Sequence, residues 1–227
     1  MTPATAAPLH LLYGGTFDPV HLGHLAVARA ALATTGAAHL DFVPAADPPH
    51  RGPPGAGFAD RVDLLKTALA HEPPPALGTW GIDDREGARQ GPSYTVDTLR
   101  DWRKQHGLDR PLGFVLGADA FLGLAGWREW PALFDLAHLL VAKRPGSALD
   151  GVPDALRAAL EGRWATAPAD FHTVPGGRIA VLDLPLQPES ATAVREAVAG
   201  RRAPFGLPAG VAGVIAARGL YRDPAPG

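Results

Sequence analysis

The passage from residue 9 to residue 35 constrains this chain more than any other. A mostly apolar run, residues 9–13, stops at the paired glycines Gly14 and Gly15, and from Leu22 an Ala-rich stretch without proline carries apolar residues to Thr35. An apolar run ended by glycine reads as a buried strand, and a long proline-free stretch of good helix formers reads as a helix. A strand, a tight loop and a helix therefore open the chain. That order is the first half of a βαβ unit and admits few architectures.

The alternation continues to the end. Further strands are expected at residues 39–43, 80–82, 112–116, 137–142, 171–174 and 179–184, and helices at 59–70, 94–106, 192–199 and 209–218, with helical pieces between 119 and 134. Residues 44–57 form a Pro/Gly-rich loop long enough to carry function, and 84–92 a polar loop. The pattern predicts an α/β fold: a doubly wound, mostly parallel, Rossmann-like sheet with a small C-terminal helical part. Its ligand crevice is expected beyond the carboxyl ends of the strands. A single domain is expected over residues 1–227, with a core at about 8–185 and the helical part at about 186–222.

Composition enters through what it excludes. The formal net charge of -2 offers no global attraction to nucleic acid or to an acidic membrane, and no apolar run reaches membrane-spanning length, so neither partner is expected. With no cysteine there is no disulfide framework and no thiolate metal site. The first eight residues are small and uncharged, without an apolar signal core, so a cytoplasmic location is expected. Homo-oligomerisation is left open. Any anion site in such a chain has to be built locally.

The string Gly14-Gly15-Thr16-Phe17-Asp18-Pro19-Val20-His21-Leu22-Gly23-His24 has the means to build one. Paired glycines let a backbone approach a phosphate closely, and a helix starting after Val20 turns N–H groups and the positive end of its dipole towards an anion. His21 and His24, three residues apart with Gly23 between them, fall on nearby faces of that first turn. A zinc pair is the rival use of two such histidines, but zinc needs a third ligand. Near the other end, Ser190 is a good helix N-cap, and Thr192 and Arg195 share one side of the turn it opens, which makes either a second anion site or an ordinary capped helix.

The first string resembles the signature of the HxGH nucleotidyltransferase superfamily, in the form typical of bacterial nicotinate mononucleotide adenylyltransferases. Three more passages carry the resemblance across most of the chain. Pro48-Pro49-His50-Arg51 resembles the family's PPHK loop with Arg for Lys. Residues 91–99, Gly-Pro-Ser-Tyr-Thr-Val-Asp-Thr-Leu, match its GPSYTxxTL segment, and Gly117-Ala118-Asp119 with Trp127 matches its GxD…W region. Residues 190–195 resemble the ISSTxIR signature at Ser190, Thr192 and Arg195, with Glu189 in place of an apolar residue and Ala191 in place of a small hydroxyl residue.

What the resemblance implies is adenylyl transfer from ATP, with Mg2+ accompanying the nucleotide, to nicotinate mononucleotide, with pyrophosphate leaving. It assigns His21, His24 and Arg195 to catalysis. Gly14, Gly15, Thr16, Phe17, Gly23, Ser190 and Thr192 join them around ATP. Asp18, His50, Arg51, Ser93, Tyr94, Thr95, Asp119 and Trp127 fall to the mononucleotide, with Trp127 under the pyridinium ring. No residue set is assigned to a dedicated metal. The rival implications are a preference for nicotinamide mononucleotide, and a nucleotide-binding sensor without catalysis.

Overall fold

The computed structural model describes residues 7–49, 52–143, 151–184 and 189–222. The chain begins with β1 (His10–Gly15), α1 (Leu22–Thr35), β2 (His39–Pro44), α2 (Phe58–His71) and β3 (Thr79–Ile82), then α3 (Thr95–His106) and β4 (Leu112–Gly117). Short helices α4 (Ala118–Leu122) and α5 (Leu133–Leu136) lead to β5 (His138–Lys143), and α6 (Asp154–Leu160) to β6 (Ile179–Asp183). The helices α7 (Ala191–Ala199) and α8 (Val211–Arg218) follow. The six strands form one sheet in the order β3-β2-β1-β4-β5-β6, and every pair in it is parallel. The order reverses between β1 and β4, the switch point where such sheets open a crevice.

Strand alternation sorts the core onto two faces. Leu11 and Tyr13 of β1 face α1, α2 and α8, together with Leu25, Leu32, Leu64, Leu65, Val211 and Ile215. Leu12 faces the opposite way, onto Leu99 and Trp102 of α3, Phe121 of α4, Phe134 of α5 and Leu156 of α6. Each fully buried leucine contributes about 1.5–3 kcal/mol. The C-terminal helices thus share the core of the first βαβ unit. Arg218 of α8 is also paired with Asp60 (2.7 Å) and Asp63 (2.9 Å) of α2.

One expected strand is absent. Residues 168–171 form a turn of 3-10 helix, opened by Pro168 and by the Asp170 carboxylate accepting the N–H groups of Thr166 (2.7 Å) and Ala167 (3.1 Å). Phe171 is apolar because its ring packs edge-on against His138, not because it pairs in the sheet. The preceding segment supplies α6 and a single parallel bridge from Trp164 to Ile179. Among the described residues, no helix is long and apolar enough to cross a membrane.

Candidate active site

A cleft of about 700 Å³ lies at the carboxyl ends of the strands. Three of the longer helices begin at it: α1 from His21, α3 from Tyr94 and α7 from Ser190. Each puts the positive end of its dipole beside the cavity, a local positive potential in a chain whose net charge is -2.

The loop after β1 forms one wall. A Cβ on Gly14 would come within 2.5 Å of the Phe114 ring, and one on Gly15 within 2.8 Å of the Phe17 ring, so a larger residue at either position would have to displace an aromatic ring. Phe17 has a φ of 48° and its ring stands edge-on to Tyr13, His24 and Phe42, which fixes the path of the loop. The peptide bond Asp18–Pro19 is cis. His21, 4% exposed, lies with its ring centroid 3.7 Å from that of His24. His24 Nδ1 accepts the His21 backbone N–H at 3.2 Å, so a neutral His24 carries its proton on Nε2. The Leu22 amide, expected to face an anion, is donated instead to the carbonyl of Gly206 at 2.8 Å.

Arg195 brings the C-terminal segment to this wall. Its guanidinium donates to the Asp18 carbonyl at 2.7 Å and to Thr192 Oγ1 at 3.3 Å, while Ser190 Oγ accepts the Ala193 amide at 3.1 Å as the N-cap of α7. Asp18, 6% exposed, is a hub: its carboxylate accepts the N–H groups of Gly55 (2.7 Å) and Ala56 (3.1 Å) and the hydroxyl of Tyr221 (2.9 Å). Burial, followed by the Asp18 charge, raises the Tyr221 phenol well above its ordinary range. Gly55 is held between the Tyr221 ring and the Arg195 side chain, with an added Cβ 3.2 Å from the former.

Across the cleft stand Ser93, Tyr94, Thr95, Asp119 and Trp127. Ser93 ties the 45–57 loop down: its Oγ accepts the amides of Ala46 (3.0 Å) and Asp47 (3.1 Å), and its own N–H goes to the Asp47 carbonyl (2.8 Å). That N–H is therefore not available for a ligand carboxylate, which leaves the first-turn amides of α3 beside Thr95. Asp119 lies exposed in the first turn of α4, and Trp127 is half-buried. Every residue that the resemblance assigns lines this one cleft, except His50 and Arg51, which lie outside the described residues.

Sequence reasoning missed three residues. Arg128 lines the cleft, 4.9 Å over the Tyr94 ring. Arg61, buried on α2, donates to the carbonyls of Thr16 (2.6 Å) and Ala56 (3.2 Å) and so joins the loop after β1 to the loop after β2. Tyr221 donates its hydroxyl to the Asp18 carboxylate from the far end of the chain. An arginine in an amphipathic helix and a tyrosine near the C-terminus carry no local mark of such partners. Among the described residues, the one group of three histidine or carboxylate side chains placed to hold a metal is His10, His39 and Asp41, at the other end of the strands.

A cytidylyltransferase-like family model matches residues 12–197. A Stenotrophomonas maltophilia protein described as "Probable nicotinate-nucleotide adenylyltransferase" is 50% identical over 221 residues, covering 96% of this chain and 99% of its own length. An Escherichia coli protein with the same description is 37% identical over 215 residues, covering 94% and 99%. Among solved structures, Plasmodium falciparum nicotinic acid mononucleotide adenylyltransferase complexed with NaAD has the same fold. Its TM-score is 0.70 at 14% identity, over 94% of this chain and 97% of that one.

Proposed function

The chain belongs to the cytidylyltransferase-like family and, within it, to the nicotinate-nucleotide adenylyltransferases, and from that premise we propose how its cleft works. The enzyme transfers the adenylyl group of ATP to nicotinate mononucleotide, giving nicotinate adenine dinucleotide and pyrophosphate, a step of NAD biosynthesis. The observation that carries the site reading is the convergence of His21, His24, Thr192 and Arg195 with Thr95, Asp119 and Trp127 on one cavity.

The 5′-phosphate oxygen of the mononucleotide attacks the α-phosphorus of ATP in line. The bond to the β-phosphate oxygen breaks, and pyrophosphate leaves with the metal that accompanied ATP. Such a transfer needs positioning and stabilisation of spreading charge rather than a protein nucleophile. His21 donates to the α-phosphate as charge builds there, and His24 to the adjoining phosphates. Arg195 and Thr192 hold the β- and γ-phosphates at the N-terminus of α7. The loop after β1, shaped by Gly14, Gly15, Thr16, Phe17 and Gly23, sets the depth at which the triphosphate lies. Magnesium enters as MgATP, a substrate form that keeps several waters.

Trp127 supports the pyridinium ring, an attraction of about 0.5–2 kcal/mol. Thr95 and the first-turn amides of α3 receive the nicotinate carboxylate, with Ser93 and Tyr94 shaping that turn, and Asp119 accepts from a ribose hydroxyl. Asp18 acts by holding Arg195 and the loop through Gly55, and the resemblance assigns His50 and Arg51 to the mononucleotide. A hundredfold preference for the acid over the amide requires only about 2.7 kcal/mol, which a few directed N–H groups supply.

The test is turnover of the purified protein with MgATP and, in parallel, nicotinate or nicotinamide mononucleotide, following pyrophosphate and identifying the dinucleotide by mass. Strong preference for the nicotinate form, abolished in His21→Ala, is expected. Equal or reversed preference overturns the substrate; ATP binding without product from either overturns the activity.

A further inference from the structure

His10 and His39 are cross-strand partners at the amino ends of β1 and β2, so both rings stand on the same face, and Asp41, two residues beyond His39, joins them there. His10 Nε2 lies 2.9 Å from one Asp41 oxygen and His39 Nε2 lies 3.0 Å from the other. The three donor atoms fall within 4.8 Å of one another. Tetrahedral zinc with bonds of about 2.0–2.1 Å places its ligand atoms about 3.3 Å apart, so the two histidine–carboxylate separations have to open by a few tenths of an ångström and the two imidazoles, with ring centroids 4.9 Å apart, have to turn towards one shared oxygen.

The surroundings leave room for a cation beside the three donors. Opposite Asp41 on β3 stands Gly81, where a Cβ would lie 2.6 Å from Asp41 Oδ1 and 3.2 Å from His39 Nε2; any other residue there fills the space the cluster occupies. His39 Nδ1 is 2.6 Å from Thr79 Oγ1, and that hydroxyl also reaches the Ala38 carbonyl at 3.4 Å. In the metal-free state the Thr79 hydroxyl donates to Nδ1 and Nε2–H donates to Asp41; with the proton moved to Nδ1, Nδ1–H donates to Thr79 and the Nε2 lone pair is presented to a metal ion. An outer hydrogen bond of this kind orients a histidine ligand. The buried Trp102 ring lies 5.4 Å from His10 and walls one side of the site. Arg85, the neighbouring cation, is paired with Asp83.

We propose that His10, His39 and Asp41 form a binding site for a borderline divalent transition metal, with Zn2+ as its representative, which clips β1 to β2 at the sheet end remote from the active cleft. Two imidazole nitrogens and one carboxylate oxygen suit zinc, and water completes the fourth position. On binding, each Nε2 presents its lone pair. A neutral ring then carries its one proton on Nδ1, while a ring that was cationic releases its Nε2 proton to solvent. The role is structural, independent of adenylyl transfer.

The experiment is a titration of the chelator-stripped, full-length protein with Zn2+ at pH 7.5, by calorimetry and by competition with a chromophoric chelator, alongside thermal melting. Wild type and His21→Ala should each bind one Zn2+ tightly. A hundredfold excess over Kd should raise Tm by about 5 °C or more. His10→Gln and Asp41→Asn, each checked for a cooperative melt in chelator, should lose at least tenfold in affinity with turnover unchanged. Gly81→Ala should weaken binding too. Absence of binding in wild type, binding undiminished in both His10→Gln and Asp41→Asn, or loss in His21→Ala would overturn the site, the last by placing zinc on the catalytic histidines.

Discussion

At the amino ends of the strands, polar groups are closed on one another; at the carboxyl ends they are gathered round a cavity. Arg103, 3% exposed, donates to the carbonyls of Leu136, Leu108, Arg110 and Pro175, stapling the segments that lead into β4, β5 and β6. Burial lowers its pKa to about 10. His138 accepts the Arg178 amide on Nδ1 at 3.0 Å and donates Nε2–H to the Val174 carbonyl at 3.1 Å. At the opposite end, His21, His24, Thr192, Arg195 and Asp119 line a cleft of about 700 Å³. One sheet thus carries two arrangements: polar side chains at the amino end bond to the segments that lead into the strands, and several at the carboxyl end line a cleft.

The comparison is sharpened most by Arg103→Ala. Leaving several buried carbonyls without a donor should cost about 4 kcal/mol in urea unfolding, with turnover per folded molecule unchanged. A loss of turnover in the folded variant would break the contrast. His21→Ala is the mirror image: about 10²-fold or more in kcat, or about 2.7 kcal/mol in the barrier, with the melting curve unmoved.

A third effect, of about 2 kcal/mol, is read by pH. His138 has its pKa lowered to about 4, first by burial, against 6.5 unfolded. Between these values the unfolded chain binds more protons. The stabilisation is therefore complete above pH 6.5 and is lost as pH falls towards 4, amounting to about 2 kcal/mol between pH 7 and 5. Unfolding free energies across that range should fall with acidification, and His138→Gln should flatten the slope. An unchanged slope would remove His138 from the stabilising set.

The smallest effect probes a residue that belongs to both descriptions. Tyr221→Phe removes only the hydroxyl bonded to Asp18, and should cost about 1.5 kcal/mol of stability while raising KM for ATP severalfold through Asp18 and Arg195. Lowered stability with unaltered kinetics would confine Tyr221 to the fold. Altered kinetics with unaltered stability would make it part of the site alone.

Most of this architecture is written locally. The helix at 22–35 ends where its pattern predicts, and the glycine-ended apolar run is the central strand β1. The failure at 171–174 came from reading an apolar residue in a short segment as a strand; the fold needed Phe171 for packing, while Pro168 and Asp170 turned the backbone. Gly14 and Gly15 were legible as necessary, but their neighbours Phe114 and Phe17 were not.

The sequence by itself determined the order of the helices and of all the strands but the one expected at 171–174, and the parallel character of the sheet, because periodicity, capping and glycine placement are properties of neighbours in the chain, while the resemblance picked out most of the residues that meet at its carboxyl edge. Tertiary structure alone decided which polar groups are closed and which face the cleft. Asp18 meets Tyr221 across 203 residues and Arg195 across 177; Ser93 ties down Asp47, and the Gly206 carbonyl takes the Leu22 amide. A hydrogen bond satisfies a buried group whatever its distance along the chain, so these assignments exist only once the layers have packed.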